Sequence, residues 1–194
     1  MALMRFLVFS HGVSMSNRIR IAISACLLGR NVRYDGRSKA APDVLHFLCK
    51  DLDIEWVVVC PEHEAGLTVP RDPMRLVRGS GGIKLVAIET AADHTAIVQQ
   101  WIEARLPLLE REYLCGFVLK ARSPSCGVHD AEIVEEHLVD QVGHGAGLFA
   151  AAVMQRFPGI PVADEELLRD ASIRSHFLER VFAIRFSHSA CRES

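Results

Sequence analysis

Short runs of β-branched, nearly all-apolar residues recur along this chain with amphipathic stretches between them, and that alternation restricts the fold more than any other feature. IRIAIS (19–24), IEWVVVC (54–60), IKLVAI (83–88) and GFVLKA (116–121) read as strands covered on both faces, and Ile160 to Val162 adds a shorter repetition. Between them, residues 42–52 begin with Pro42 at a first-turn position and place Val44, Leu45, Leu48 and Leu52 on one helical face. Residues 95–113 carry Ile97, Val98, Trp101, Ile102 and Leu106 at helical spacing, with Pro107 expected to kink or split the element. Residues 147–157 form an Ala-rich third helix. Strand and helix alternate, which predicts an α/β fold: a three-layer Rossmann-like parallel sheet with helices on both faces. After it, Asp164 and Asp170 read as N-caps before an apolar stripe of Ile173, Phe177, Leu178, Val181 and Phe182. This is a C-terminal amphipathic helix that either docks on the sheet or opens a further domain.

The expected organisation is a poorly ordered extension over 1–18, an α/β domain over 19–163 and a helical tail over 164–194. Met15, just before the first strand, is a candidate translation start. A chain of 194 residues buries enough surface to need no disulfide or metal for its core. Six cysteines are too sparse for a disulfide scaffold, and with no convincing secretory segment a reducing cytoplasm is expected. A net charge of −2 excludes a generally basic nucleic-acid coat, and no apolar run reaches the roughly 18 to 20 residues of a membrane span.

In open α/β sheets ligands bind beyond the carboxyl ends of the strands. Three cysteines fall there: Cys26 in SACLLG, Cys60 in VVVCPEHEAGL and Cys126 in LKARSPSCG. Any one of them alone reads as a small buried apolar residue. Three at equivalent places predict convergence. Cys49, Cys115 and Cys191 occupy a helix, the amino end of a strand and the tail, and are assigned no role. There is no C-x-x-C, and His63 is the one nearby imidazole for a mixed zinc site. Three thiolates suit zinc or an iron–sulfur cluster, and a cluster held by three cysteines leaves an iron open as a Lewis acid toward a soft atom such as sulfur.

SACLLG with NVRYDG, CPE followed by GLTVPRDP, and LKARSPSCG, in that order, resemble the thiouracil desulfidase family over roughly residues 19 to 163. GHGAGLFAAAVMQRFPGIPV is similar to the segment that closes the family's domain. ADEELLRDASIRSHFLERVFAIR resembles the junction of members that continue into an all-helical domain and act on 4-thiouridine in transfer RNA, whereas stand-alone members act on free thiouracil. The resemblance implies a 4Fe-4S cluster ligated by Cys26, Cys60 and Cys126. It also implies a non-redox conversion of C=S to C=O on a thiolated pyrimidine, with sulfide released.

Such chemistry needs a group to activate water and another to manage the ring proton. Glu62, two residues from Cys60, is the candidate base, with a pKa expected to rise in a dry pocket. Its alternative is a rim carboxylate paired with Arg71 or Lys120, and Glu64 is the nearest substitute. Ser123 and Ser125 either bind the substrate or serve the turn around Pro124, with Ser123 preferred as the catalytic one. Asp35 reads as a turn residue and a lesser candidate. Lys120 orients a carbonyl, neutralises an anionic cluster, or snorkels.

Arg30, Arg33, Arg37 and Lys39 outnumber Asp35 after the first cysteine, and Arg71, Arg75, Arg78 and Lys84 outnumber Asp72 after the second. A positive rim suits a nucleotide or the backbone of transfer RNA, bound directly or through a partner domain, while solvated loop charge is the plainer reading. The glycines of RGSGG read as a flexible turn. The rival functions are a zinc- or thiol-dependent enzyme on the same scaffold, and a non-catalytic nucleotide- or RNA-binding module.

Overall fold

The computed structural model describes residues 18–50 and 52–190, leaving aside the side chains of 138–141 and 189–190. The expected extension lies almost wholly outside the described residues. Among the described residues the strands form two four-stranded sheets. The first consists of β1 (Ile19–Ser24), β2 (Ile54–Val59), β5 (Gly116–Leu119) and β8 (Val162–Asp164), in the order β2-β1-β5-β8 and parallel throughout. Each strand is apolar on both faces because each face meets a different core. Ala22, Val57, Val59, Phe117 and Leu119 point into one, with Val98 and Ile102 of helix α3 (Thr95–Glu110) and Phe149 and Val153 of α4 (Leu148–Arg156). Ile19, Ile21, Ile23 and Val118 point into the other, with Val44 and Leu48 of α1 (Pro42–Cys49) and Phe177 and Val181 of α5 (Ala171–Ala190). This is the expected three-layer α/β arrangement with a C-terminal helix.

Two expectations are corrected. The run 83–88 does not join the parallel sheet. It forms β4 (Gly82–Ala87), which pairs antiparallel with β3 (Met74–Gly79) across the Ser80–Gly81 turn of RGSGG. Together with β6 (Ala131–Glu135) and β7 (Leu138–Gly145) it makes the second sheet, in the order β4-β3-β6-β7. Leu76, Leu85 and Ile133 turn one face of that sheet into the first core, and its other face interleaves Arg75, Lys84, Glu132 and His144 with Val77, Val86, Val134 and Val142. The other correction concerns Pro107, which neither splits nor ends α3. Val98, Ile102 and Leu109, buried on both sides of it, hold the helix through the missing hydrogen bond.

Asp164 and Asp170 act as expected. Asp164 Oδ1 accepts the Glu166 and Leu167 amides, and Asp170 Oδ1 accepts those of Ser172 and Ile173 at the start of α5. That helix rests against β5, where a Cβ on Gly116 would stand 3.0 Å from the Phe177 ring and 3.1 Å from Val181. Truncating Phe117, fully buried between the layers, would cost about 3–5 kcal/mol. Among the described residues no helix is long and apolar enough to cross a membrane.

Candidate functional site

Because β1 has β2 on one side and β5 on the other, the chain reverses its winding direction at the carboxyl end of β1, where α/β sheets open a crevice. A cavity of about 440 Å3 lies there, and Cys26, Cys60 and Cys126 all line it. Cys26 sits in a short 3₁₀ turn directly after β1, Cys60 at the start of a one-turn helix, α2 (Pro61–Glu64), after β2, and Cys126 in the loop after β5. Three adjacent parallel strands thus deliver three thiols to one wall. All three are free thiols, Cys26 and Cys126 only 8% and 5% exposed.

Each local segment holds its cysteine by main-chain bonds. Glu64 Oε1 accepts the Cys60 amide at 2.7 Å, so the nearest substitute for Glu62 fastens a thiol-bearing residue and forms a long ion pair with Arg105 at 3.9 Å. In the loop after β5 the Ser123 Oγ accepts the amides of Ser125 and Cys126 at 3.2 and 3.1 Å. The same loop docks on the start of α4, whose Leu148 and Phe149 amides donate to the Pro124 and Ser125 carbonyls. Gly147 permits this approach. A Cβ there would lie 2.5 Å from the Ser125 carbonyl carbon. Arg122, in the same loop, takes a left-handed conformation (φ 57°), held by its amide on Asp130 and its guanidinium on Glu166.

Burial pushes the Cys26 thiol up to about 11, with the neighbouring Cys60 adding to the rise and Lys120 and Arg33 opposing it. Cys60 and Cys126 are also pushed up by burial, Cys126 well above the usual thiol value. Thiols so placed stay protonated near neutrality unless a bound cation takes the proton's place. The thiols form a soft donor set without imidazole: His63 is exposed and does not line the cavity. Among the described residues no three His, Cys, Asp or Glu side chains are arranged around a single metal ion. The three thiols line one cavity instead, a soft donor set that fits an iron–sulfur cluster, and Arg33, Arg71 and Lys120 line the same cavity.

Glu62 lines the cavity with both oxygens engaged. Oε2 is paired with the Arg71 guanidinium, the partner weighed for a rim carboxylate, and Oε1 accepts the Ser125 hydroxyl at 2.8 Å. Ser125 is fully buried behind the wall, whereas Ser123 lines the cavity itself. Asp35 does not line it; its Oδ1 accepts the Arg37 amide in a turn. Lys120 is 8% exposed and does not snorkel: Nζ donates to the Ala121 carbonyl and to Glu165. Of the basic residues expected on the rim, Arg33, Lys39 and Arg71 line the cavity, and Arg30, Arg37, Arg75, Arg78 and Lys84 do not.

Three participants escape the sequence reading. Glu165, buried, binds both Lys120 Nζ and the Ala121 amide. It follows β8, the strand next to β5, so the strand-end rule pointed to it once β8 was recognised. Tyr34 of the quoted NVRYDG lines the cavity beside Arg33, whose guanidinium lies 5.3 Å from the ring centre. Gly147 carries no signal beyond its place before a helix.

The sequence model of the 2-thiouracil desulfurase family matches residues 21–165, three-quarters of the chain and all three cysteine loops. The chain belongs to that family. It is similar to the solved structure of a [4Fe-4S]-dependent thiouracil desulfidase, TudS, with 31% identity and a TM-score of 0.59 over 82% of this chain and 99% of that one. It is also 27% identical over 158 residues to the uncharacterized protein YbbK of Bacillus subtilis (strain 168), covering 77% of this chain and 98% of that protein.

Proposed function

We propose that this desulfurase-family chain converts C=S to C=O on a thiolated pyrimidine, thiouracil or 4-thiouridine, free or within transfer RNA, in the cytoplasm and with release of sulfide. Cys26, Cys60 and Cys126 would hold a 4Fe-4S cluster. The observation that carries this reading is the delivery of three thiols, from the ends of three adjacent parallel strands, to the wall of one cavity. A cluster held by these thiolates would supply soft Lewis-acid chemistry toward a thiocarbonyl sulfur.

The protein's own groups do the rest. Glu62 accepts the proton of the attacking water, kept in one orientation by Arg71 on one oxygen and Ser125 on the other. Ser125, behind the wall, is a positioning residue. The Ser123 oxygen already accepts two amides, which leaves its hydroxyl proton free to point into the cavity toward the ring nitrogen or the exocyclic atom. Lys120, fixed by Glu165, holds positive charge against the anionic centre.

Anaerobic reconstitution tests the reading. About four irons and four acid-labile sulfides per chain are expected, with a visible absorbance that changes on adding thiouracil or 4-thiouridine and with sulfide released in step with uracil or uridine. A preparation loaded with about four irons that releases no sulfide, or one that takes up zinc alone, would overturn it.

A further inference from the structure

Tyr34 is the one aromatic ring among the described residues that line the thiol cavity, and it is 41% exposed. Its main chain is tied down on both sides. The Gly36 amide donates to the Arg33 carbonyl at 3.0 Å, closing a turn that carries Tyr34, and Gly36 takes the left-handed conformation (φ 70°) that favours glycine. The Tyr34 carbonyl accepts the Arg71 amide at 2.9 Å. Arg71 also binds Glu62, so one residue fixes both the loop that bears the ring and the proposed base. The ring itself is braced: the Arg33 guanidinium lies over one face, 5.3 Å from the ring centre, and Arg33 Nε stands 3.5 Å from Asp35. A cation over one face leaves the second as the stacking surface.

We propose that Tyr34 is a specificity-determining residue whose ring is the platform on which the flat pyrimidine of the substrate stacks, so that the site selects planar, conjugated thiocarbonyl compounds over saturated ones. The inference rests on the desulfurase reading of the cavity. The polar groups that line it, Glu62 and Ser123 among them, can recognise the edge of a ring through hydrogen bonds. Edge contacts do not separate a flat ring from a puckered one with the same carbonyl and N–H groups, whereas a π face does. A partly open aromatic face is also apolar surface left in water, and a flat ring laid on it removes that surface from solvent.

The test uses the reconstituted protein and two unreactive oxygen compounds, uracil and dihydrouracil, which present the same carbonyl and N–H groups on a flat and on a puckered ring. Ligand-observed NMR reads their dissociation constants into the millimolar range. Uracil is expected to bind roughly tenfold more tightly, the size of one base–aromatic stack. In Tyr34→Leu, which keeps an apolar side chain and removes the π face, the two should bind equally. In Tyr34→Phe the gap should remain. Melting temperature and iron content, recorded on both variants, separate a lost platform from a lost fold, and the unaltered protein alone decides whether the gap exists. Equal affinity there, or a gap that survives Tyr34→Leu, overturns the proposal. So does a gap that Tyr34→Phe abolishes, since the hydroxyl rather than the ring face would then carry the recognition. Sulfide release from thiouracil is scored separately. A protein with the gap but no sulfide release loses the desulfurase reading and keeps the platform, and one that releases sulfide without the gap loses the platform alone.

Discussion

Ser125 and Glu62 meet across the cavity wall through a 2.8 Å hydrogen bond, the hydroxyl donating to Oε1, although 63 residues separate them in the chain. The bond joins the loop that carries Cys126 to the helix that follows Cys60, so the acid and two thiols are placed by one contact. Glu62→Gln should keep the visible absorbance of the loaded protein and lower turnover by ~10²-fold, the usual loss of a general base. Ser125→Ala should lower turnover by roughly tenfold, since it releases one oxygen of Glu62 and leaves the acid in place. Steady-state sulfide release with absorbance recorded on the same samples checks both, and unchanged turnover in Glu62→Gln would move the proton to another group.

Cys60→Ser should abolish iron loading and sulfide release together while leaving the fold intact, because Cys60 is only partly buried and serine matches its size. Iron analysis beside far-ultraviolet circular dichroism decides it. Full iron content in the variant would contradict the ligand assignment.

Glu64 offers a different test, because its carboxylate bonds the amide of a proposed ligand rather than any substrate. Glu64→Ala should cost about 1 kcal/mol, as for a lost helix cap, and should weaken iron retention under chelator challenge. Glu64→Gln keeps an acceptor for that amide and should restore both. Loss of turnover in the Gln variant without loss of iron would instead make Glu64 a catalytic group.

The parallel sheet was legible because its strands are short, nearly all-apolar runs, although the same pattern in IKLVAI belongs to a strand of the second sheet. The second sheet was not. Arg75, Arg78, Lys84 and Glu132 interrupt its strands, and sequences such as MRLVRG and AEIVE carry too few apolar residues for periodicity to separate strand from loop. IKLVAI could be read as a strand, but nothing in it states which sheet it joins. The thiols were legible from the strand-end rule alone. The partners that hold them, Glu64, Glu165 and Gly147, act through main-chain contacts that depend on three-dimensional approach and leave little trace in residue type.

Gly147→Ala should disturb the site without touching it. A methyl placed 2.5 Å from the Ser125 carbonyl carbon must push the loop off the start of α4, at about 1–3 kcal/mol for overpacking. The melting temperature should fall and iron occupancy should fall with it. An unchanged chelator half-life would show that the loop absorbs the shift elsewhere.

Loading should depend on pH in a fixed direction. Burial raises all three thiol pKa values in the metal-free fold, so each thiol binds its proton more tightly than an exposed one does and metal must displace it. Iron uptake should be accompanied by proton release and should be faster at pH 8.5 than at pH 6.5. Exposed Cys49 should be alkylated well ahead of these thiols in the metal-free protein at either pH, which mass spectrometry would show. Alkylation of Cys26 ahead of Cys49 would contradict the burial argument.

Arg71 links the acid to the facing loop, and it does so through carbonyls. Besides Glu62, its guanidinium binds the carbonyl oxygens of Val32 and Thr68, and its amide binds that of Tyr34. Main-chain oxygens are the same whatever side chain the residue bears. The stretch around Val32 and Tyr34 can therefore exchange the groups it shows to a substrate while its path stays anchored. Descendants of this chain, or a library built on it, could alter recognition at those two positions without dismantling the frame that holds Glu62 in place.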